Sequence, residues 1–474
     1  MHLLGAGGAG LSGAARLLQA RGHVLSGYDR ESSPFSRALQ ELGIPITIGE
    51  SVASLLPANA QAVVRTAAVS SEDPQLEAAR ARGLDEFKYA DVLPLLAAAD
   101  RTLAVAGTHG KTTSTWMLHH ALLGVARANS APGARAPRPG ALVGGIHKDL
   151  GTNALVPDPG GWFAVEACEY DRTFLQLRPA GAIVTNLEPD HLDYYGSVQA
   201  LEDAFARFAD RVHQGGLLVV GEEVPDKIES TARCEVWRLG RELHVELLSE
   251  SRGTFEFRLR GPGWATPALH LRVPGSFNVA NAALALGLAV GISLRGGPLG
   301  SIASEVASAA ARSLESFDGV LRRFESWGTV GGVTVVHDYA HHPTEVSATL
   351  EAARRVHPGR SLHVLFQPHQ HSRTARFLSG FVESLRRADR VVIADVYGAR
   401  AHIDDRDAGA PELVSRLRRA GVDAHLGGSA REAGYELVDG LEGECAALIL
   451  GAGDVDQIRD EFLDRLAVRG PASR

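Results

Sequence analysis

The sequence predicts an α/β chain of three domains, each carrying its own wound sheet. Three observations lead there. At 474 residues the chain exceeds what one ordinary core accommodates. Short apolar runs of strand character alternate with amphipathic helical stretches along most of its length, the pattern of parallel strands with helical crossovers. Two glycine-bearing turns, at 5–10 and 107–110, each follow a strand and open a helix. The composition is ordinary for a globular enzyme, 45% apolar and 22% charged.

The first block, 1–98, opens with HLLGAGGAG, an apolar strand running into a glycine turn, and LSGAARLLQARG reads as the helix after it. HVLSGYDR is a second strand ending at Asp29, and IPITIG and AQAVVRTAAV are further short strands. The second block, 99–313, starts with the strand RTLAVAG and the turn and helix THGKTTSTWMLHHALL. WFAVEAC, AGAIVTNL and GGLLVVG read as buried strands and LEDAFARFADRVH as an amphipathic helix. Segment 126–140 reads as a flexible surface insertion rich in Ala, Pro, Arg and Gly. RGTFEFRLRG has the alternation of an antiparallel hairpin, and SFNVANAALALGLAVG is a helix. In the third block, 314–474, four strands are expected: GTVGGVTVVHDYA, SLHVLFQPH, DRVVIADVYGAR and AALILGAGD. Polar residues crowd their C-terminal ends, where open α/β sheets bind ligands.

Several function classes are disfavoured. The net charge of −8 argues against a nucleic-acid surface. No apolar run is seen to reach the roughly 20 residues that span a bilayer, and no signal peptide is visible. The three cysteines, Cys168, Cys234 and Cys445, are far apart and suit a reducing compartment, so a cytoplasmic location is expected.

Gly5, Gly7, Gly8 and Gly10 lie in a G-x-G-x-x-G pattern between a strand and a helix, where the backbone can approach a diphosphate. Asp29 follows at about the 20-residue distance of a ribose-binding acid. The fingerprint suits a dinucleotide and a UDP-sugar equally. Residues 107–113, G-T-H-G-K-T-T, end like a phosphate-binding loop, although Val105 stands where the standard pattern has its first glycine. Lys111 would bridge β and γ phosphates and Thr112 would ligate Mg²⁺. Only four of the 48 basic residues are lysines, so arginine drift has spared Lys111. Glu166 and His191, after the next strands, could hold or complete a cation site.

Asp338, Tyr339, His341 and His342 end a strand in the third block, and His369, His371 and Arg373 end the next. Arg373 could grip a carboxylate bidentately. A zinc cluster is a competing reading of these histidines, without the cysteine or H-E-x-x-H pair that would support it. Asn278 and Asn281 share a helix face and could read a purine edge, or cap the helix. Arg322 and Arg323 could bring charge to a phosphate.

Taken together and in order, GAGGAG, AGTHGKTT, EACEYD, TNLEPDHLD, NVAN, RRFE, DYAHHPTE and FQPH resemble the Mur ligase family, the ATP-dependent amide ligases of peptidoglycan precursor synthesis. The resemblance covers nearly the whole chain and implies three domains: a Rossmann-like N-terminal domain, a P-loop-type central ATPase domain and a Rossmann-like C-terminal domain that closes over ATP. It further implies UDP-N-acetylmuramate, L-alanine and ATP as substrates, with Mg²⁺, in a monomer or homodimer without membrane insertion. Residues 1–98 would bind the UDP-sugar through Gly5, Gly7, Gly8, Gly10 and Thr66. Residues 99–313 would bind ATP through Gly107, Thr108, Gly110, Lys111, Thr112 and Thr113, with Thr112, Glu166 and His191 on the metal. Asn278, Asn281, Arg323 and Asp338 would contact the nucleotide. His109, Asn186, Tyr339, His342 and Arg373 would contact substrate, and Lys111, His191, His341 and Arg373 would carry catalysis.

Three residues depart from the family pattern: Cys168 stands for the usual aspartate, Gln370 for an arginine and Phe277 for a histidine. No lysine lies between His191 and Lys227, so the carbamylated lysine of some siblings is absent. Three rivals stay open. A sibling ligase would attach a preformed peptide to the same sugar nucleotide. A nucleotide-binding regulator without turnover is suggested by Cys168 and Gln370. An NAD-dependent oxidoreductase would leave residues 107–113, Glu166 and His191 unexplained.

Overall fold

A computed structural model describes residues 1–295, 301–398 and 409–469. The first sheet joins β1 (His2–Leu4), β2 (Ser26–Asp29), β3 (Ile46–Ile48), β4 (Ala62–Arg65) and β5 (Asp85–Lys88) in the order β3-β2-β1-β4-β5, all parallel. The order reverses at β1, so the glycine turn after β1 sits at the switch point where ligands bind.

The second sheet has seven strands: β6 (Thr102–Ala106), β7 (Gly140–Leu142), β8 (Ala154–Leu155), β9 (Phe163–Glu166), β10 (Gly181–Val184), β11 (Leu217–Val220) and β12 (Glu235–Arg238). Their order is β12-β11-β10-β6-β9-β7-β8, parallel except for the β7–β8 pair. β6 is central, flanked by β9 and β10, so the three loops that carry the phosphate, carboxylate and Thr-Asn motifs leave one sheet edge side by side. Strands buried on both faces need apolar residues throughout, and β6, β10 and β11 are buried at every position.

A small sheet holds β13 (His244–Ser251), β14 (Thr254–Gly261), β15 (Trp264–Ala265) and β16 (Leu269–Leu271), with β14 pairing both β15 and β16. The last sheet joins β17 (Glu325–Val330), β18 (Val333–Asp338), β19 (Ser361–Gln367), β20 (Arg390–Ala394), β21 (Asp423–Gly428) and β22 (Cys445–Gly451) in the order β17-β18-β22-β19-β20-β21. It differs from the four-strand expectation in two places. The run GTVGGVTVVHDYA is a hairpin, because Gly331 (φ 59°) and Gly332 (φ 88°) form the positive-φ turn that joins β17 to β18. DAHLGG, too polar to read as a strand, is the edge strand β21. Ala399 and Arg400, at the end of the DRVVIADVYGAR expectation, lie outside the described residues.

The chain packs as two compact units. One is Met1–Leu248 with Phe257–Leu269 and Ala280–Asp318; the other is Ser249–Glu256 with His270–Val279 and Gly319–Arg474. In the first unit one apolar cluster runs through both large sheets, from Leu3 and Leu11 to Phe205 and Phe208. The helix Ala9–Ala20 docks closely there: a Cβ on Gly13 would meet Leu142 at 2.4 Å, and Asn153 Nδ2 donates to Ala9 O at 2.8 Å. The second unit has apolar clusters on both faces of its sheet.

One expectation about membranes is corrected. Among the described residues the helix Ser276–Leu294 is long and apolar enough to cross a bilayer, with a mean hydropathy of 1.7. Asn278 and Asn281 interrupt its apolar run, which hid it from the sequence reading. Its apolar window is 72% buried, as in a core helix.

Candidate active site

Val105 answers for the missing glycine. It is the fourth residue of β6, fully buried and paired with Ile183 and Glu166 across the sheet, so the loop begins two residues later. Gly107 (φ 135°) makes the turn, and a Cβ there would fall 2.0 Å from Thr185 Oγ1. Gly110 (φ 79°) ends the loop and starts the helix Lys111–Ala128; its Cβ position would meet Asn281 Oδ1 at 2.6 Å. The first amides of that helix, those of Lys111, Thr112 and Thr113, have no intrahelical acceptor.

The Lys111 ammonium uses all three of its donors, to Gly107 O (2.6 Å), Thr108 O (3.0 Å) and Glu169 Oε1 (3.0 Å). Burial favours the neutral amine, but the Glu169 and Glu166 charges outweigh it and hold the pKa above the ordinary lysine value. Glu169 is 3% exposed and its Oε2 is buried with no hydrogen-bond partner. His191 Nε2 lies 3.8 Å from Glu169 Oε1 and equally far from Asp190 Oδ2. His191 has a left-handed backbone (φ 51°), held by its amide donating to Asp190 Oδ1 at 2.7 Å.

One residue along, Thr112 Oγ1 donates to Glu166, 3.1 and 3.0 Å from its two oxygens, and Gly144 N donates to Glu166 Oε2 at 2.7 Å. Adjacent Lys111 and Thr112 therefore face two carboxylates on the chain leaving β9. Thr112 Oγ1 and Glu166 offer a hydroxyl and a carboxylate, hard oxygens that fit Mg²⁺, while His191 lies beside Glu169. Sequence reasoning chose Glu166 and passed over Glu169, which lies in the same EACE run. The exposed Cys168 stands between them.

His109 and Asn186 pair with each other: His109 N donates to Asn186 Oδ1 (2.8 Å) and Asn186 Nδ2 donates to His109 O (3.2 Å). His109 Nε2 is 3.6 Å from Glu188 Oε2.

The first glycine turn is equally braced. Gly5 (φ 80°) leaves no space for a Cβ, which would sit 2.7 Å from Thr66 Oγ1. Gly7 N donates to Asp29 Oδ2 at 2.7 Å, and Ser33 Oγ donates to Gly7 O at 2.9 Å. Gly8 N donates to Gly5 O at 3.1 Å, and Gly10 packs on the Tyr89 ring. Asp29, expected where a ribose would be read, accepts the Gly7 amide and holds the turn.

In the second unit Asp338 receives Phe324 N and Ala340 N, both at 2.8 Å. Burial raises its pKa to about 6 against the opposing Arg323 charge. The guanidinium carbons of Arg322 and Arg323 lie 4.7 and 5.2 Å from the centre of the Tyr339 ring. His341 Nδ1 is 3.2 Å from Glu345 Oε2, and its ring meets His369 edge-on at 5.7 Å. His342 caps the helix Pro343–Val356, its Nδ1 accepting from Thr344 N at 3.4 Å. Arg373 is buried, with Nη1 3.4 Å from His369 Nδ1. The helix that carries it follows Gln370, whose φ of 65° is uncommon for a side-chain-bearing residue. His369 stacks on Tyr397, a residue the sequence did not single out. Asn278 Nδ2 donates to Pro274 O at 2.6 Å. Phe277 is half-exposed, with its ring against Gly275.

Three family models match: Mur ligase family, catalytic domain over residues 1–101; Mur ligase middle domain over 105–289; and Mur ligase, glutamate ligase domain over 322–453. The UDP-N-acetylmuramate–L-alanine ligase of Kineococcus radiotolerans is 39% identical, covering 99% of this chain and 96% of that protein. The protein of the same name from Mycolicibacterium smegmatis is 38% identical, with 99% and 95% covered. The solved UDP-N-acetylmuramate–alanine ligase of Thermotoga maritima superposes with a TM-score of 0.78 at 26% identity, covering 99% of each chain. A murein peptide ligase of Psychrobacter arcticus shares the fold, with a TM-score of 0.72 at 23% identity and 98% of each chain covered.

Proposed function

We propose the reaction from the premise that this chain belongs to the Mur ligase family: it is an ATP-dependent ligase that joins L-alanine to the carboxylate of UDP-N-acetylmuramate in peptidoglycan precursor synthesis. The observation that carries the reading is the paired arrangement at the second sheet's edge, Lys111 facing Glu169 and Thr112 facing Glu166. An oxidoreductase has no use for it.

A carboxylate does not condense with an amine at useful rates near neutral pH. Moving the γ-phosphoryl group of ATP onto it gives an acyl phosphate, which the amine of L-alanine attacks with loss of phosphate. Positioning and charge neutralisation carry most of such a reaction. Lys111 takes the β and γ phosphate charge after exchanging its loop carbonyls for phosphate oxygens. The first-turn amides of Lys111, Thr112 and Thr113 cradle the same oxygens. Thr112 and Glu166, with His191, would hold Mg²⁺, which offsets phosphate charge when bound. The braced turn of Gly5, Gly7, Gly8 and Gly10, with Thr66, takes the diphosphate of the UDP-sugar. In the second unit, Arg373 takes the carboxylate of the incoming amino acid beside Tyr339, His341 and His342. A division of labour over 1–98, 99–313 and 314–474 follows, and such substrates place the work in the cytoplasm.

The test is phosphate release from ATP and Mg²⁺ with UDP-N-acetylmuramate and, singly, L-alanine, glycine, L-serine or the tripeptide. Release requiring both the sugar nucleotide and L-alanine is expected, with at least about a hundredfold loss in Lys111→Ala. Release with the tripeptide alone would reassign the chain to the peptide-adding sibling.

A further inference from the structure

We infer that Thr185 and Asn186 are positioning residues for ATP: they latch the phosphate loop from the end of β10 and so fix which amides face the phosphates. The inference rests on the ATP reading of that loop. The loop has only four residues between β6 and its helix, and Gly107 and Gly110 alone could let it adopt many shapes. The run Thr185–Glu188 removes that freedom.

Thr185 Oγ1 donates to His109 O at 2.6 Å, and Asn186 Nδ2 donates to the same carbonyl at 3.2 Å. Asn186 Oδ1 accepts His109 N at 2.8 Å, and Asn186 O accepts Thr108 N at 3.1 Å. Thr108 Oγ1 completes the latch, accepting Glu188 N at 2.9 Å and lying 3.2 Å from Glu188 O. The carboxamide of Asn186 thus pairs with both backbone groups of His109, as a neighbouring strand would.

Two consequences follow. The amides of Thr108 and His109 are spent on Asn186, just past β10, and cannot donate to phosphate, so the anion is left to the amides at the helix start. The carbonyls of Gly107 and Thr108 bind Lys111 Nζ, so the same latch sets where the lysine is held before it exchanges them for phosphate oxygens. The Thr185 hydroxyl, with Thr185 N and Asn186 O, also fills the space over Gly107, which accounts for glycine there.

The experiment compares Thr185→Val, which keeps the shape and removes the hydroxyl, with Thr185→Ser, which keeps the hydroxyl, and with Asn186→Asp, which replaces the Nδ2 donor by an oxygen facing His109 O. Steady-state phosphate release gives KM for ATP and for UDP-N-acetylmuramate, calorimetric titration gives the affinity for ADP with Mg²⁺, and thermal unfolding reports the fold. Thr185→Val and Asn186→Asp are expected to raise KM for ATP and weaken ADP by about tenfold, with KM for the sugar nucleotide changed less than about twofold in Thr185→Val. Thr185→Ser should restore ATP affinity. Asn186 is only half-buried, so its variant carries the test if Thr185→Val loses stability. Unchanged affinity for ATP and ADP in both variants would overturn the inference, as would parallel losses for both substrates that Thr185→Ser does not rescue. A wild-type protein that binds ADP but releases no phosphate would sink the ligase reading and leave the latch to be judged by ADP affinity.

Discussion

Acidification should open the first unit at a buried histidine pair behind the phosphate loop. His120, on the loop's own helix, and His147 stack at 5.1 Å, with their Nε2 atoms 2.8 Å apart. His147 Nδ1 accepts the amides of Asp149 (3.2 Å) and Leu150 (3.4 Å), so its proton sits on Nε2 and is donated to His120. His120 must then carry its own proton on Nδ1, toward Ser316 Oγ at 3.2 Å. Neither ring can take a second proton without turning an acceptor into a donor that faces another N–H. Burial, then the charge of His147, push the His120 pKa down to about 4, while Asp149 opposes weakly. The native state keeps the ring neutral, whereas the unfolded chain protonates near 6.5. Stability from this group is therefore full above about pH 6.5 and is lost as pH falls toward 4. Between pH 8 and 5, His120 alone accounts for about 2 kcal/mol, or roughly 30-fold in the opening equilibrium. Hydrogen–deuterium exchange, corrected for intrinsic rates, of peptides covering 111–128 and 140–155 would read it. His120→Gln, which does not titrate, should show a much smaller rise in opening over that range. Equal rises in the variant and the wild type would refute the tautomer argument.

Gly7→Ala places a methyl 2.9 Å from both Asp29 Oδ2 and Ser33 Oγ, the two groups that hold the turn. An overpacking cost of about 1–3 kcal/mol should appear as a raised KM for UDP-N-acetylmuramate with KM for ATP unchanged, measured in the phosphate-release assay. Asp338, raised to about 6, holds its proton more tightly when folded, so its contribution to stability is full below about pH 4 and is lost as pH rises through 6. Carbon-13 NMR of the Asp338 carboxyl should show a midpoint near 6, and that resonance should be missing from Asp338→Asn. A midpoint below about 4.5 would contradict the burial argument.

Much of the site was legible along the chain because its parts are contiguous. A phosphate loop is a strand, a turn and a helix start within about ten residues, so its glycines, Lys111 and Thr112 announce themselves. Glu166 was readable because it ends an apolar strand. Glu169 was not, since the EACE run gives no sign of which carboxylate turns toward Lys111; the chain's path after β9 settles that. Asp29 has the spacing of a ribose ligand, yet its carboxylate caps Gly7 N, a pairing only coordinates reveal. Thr185 and Asn186 lie 76 and 77 residues from the His109 backbone they hold.

Strand and helix positions followed the same division. Buried strands such as β6, β10, β11 and β22 are nearly continuous apolar runs whose identity needs no partner. The edge strand β21 and the hairpin strand β17 are polar or glycine-interrupted and are strands only because a neighbour supplies their hydrogen bonds. Reaction class could be read from residue types and local spacing, because phosphate binding draws on backbone amides and side chains within one turn. The placement of β6 between β9 and β10, the latch on the loop and the tautomers of the buried histidines depended on tertiary structure. Each is a contact between residues far apart in sequence, and a linear chain carries no term for the entropy and packing that decide which distant partners meet.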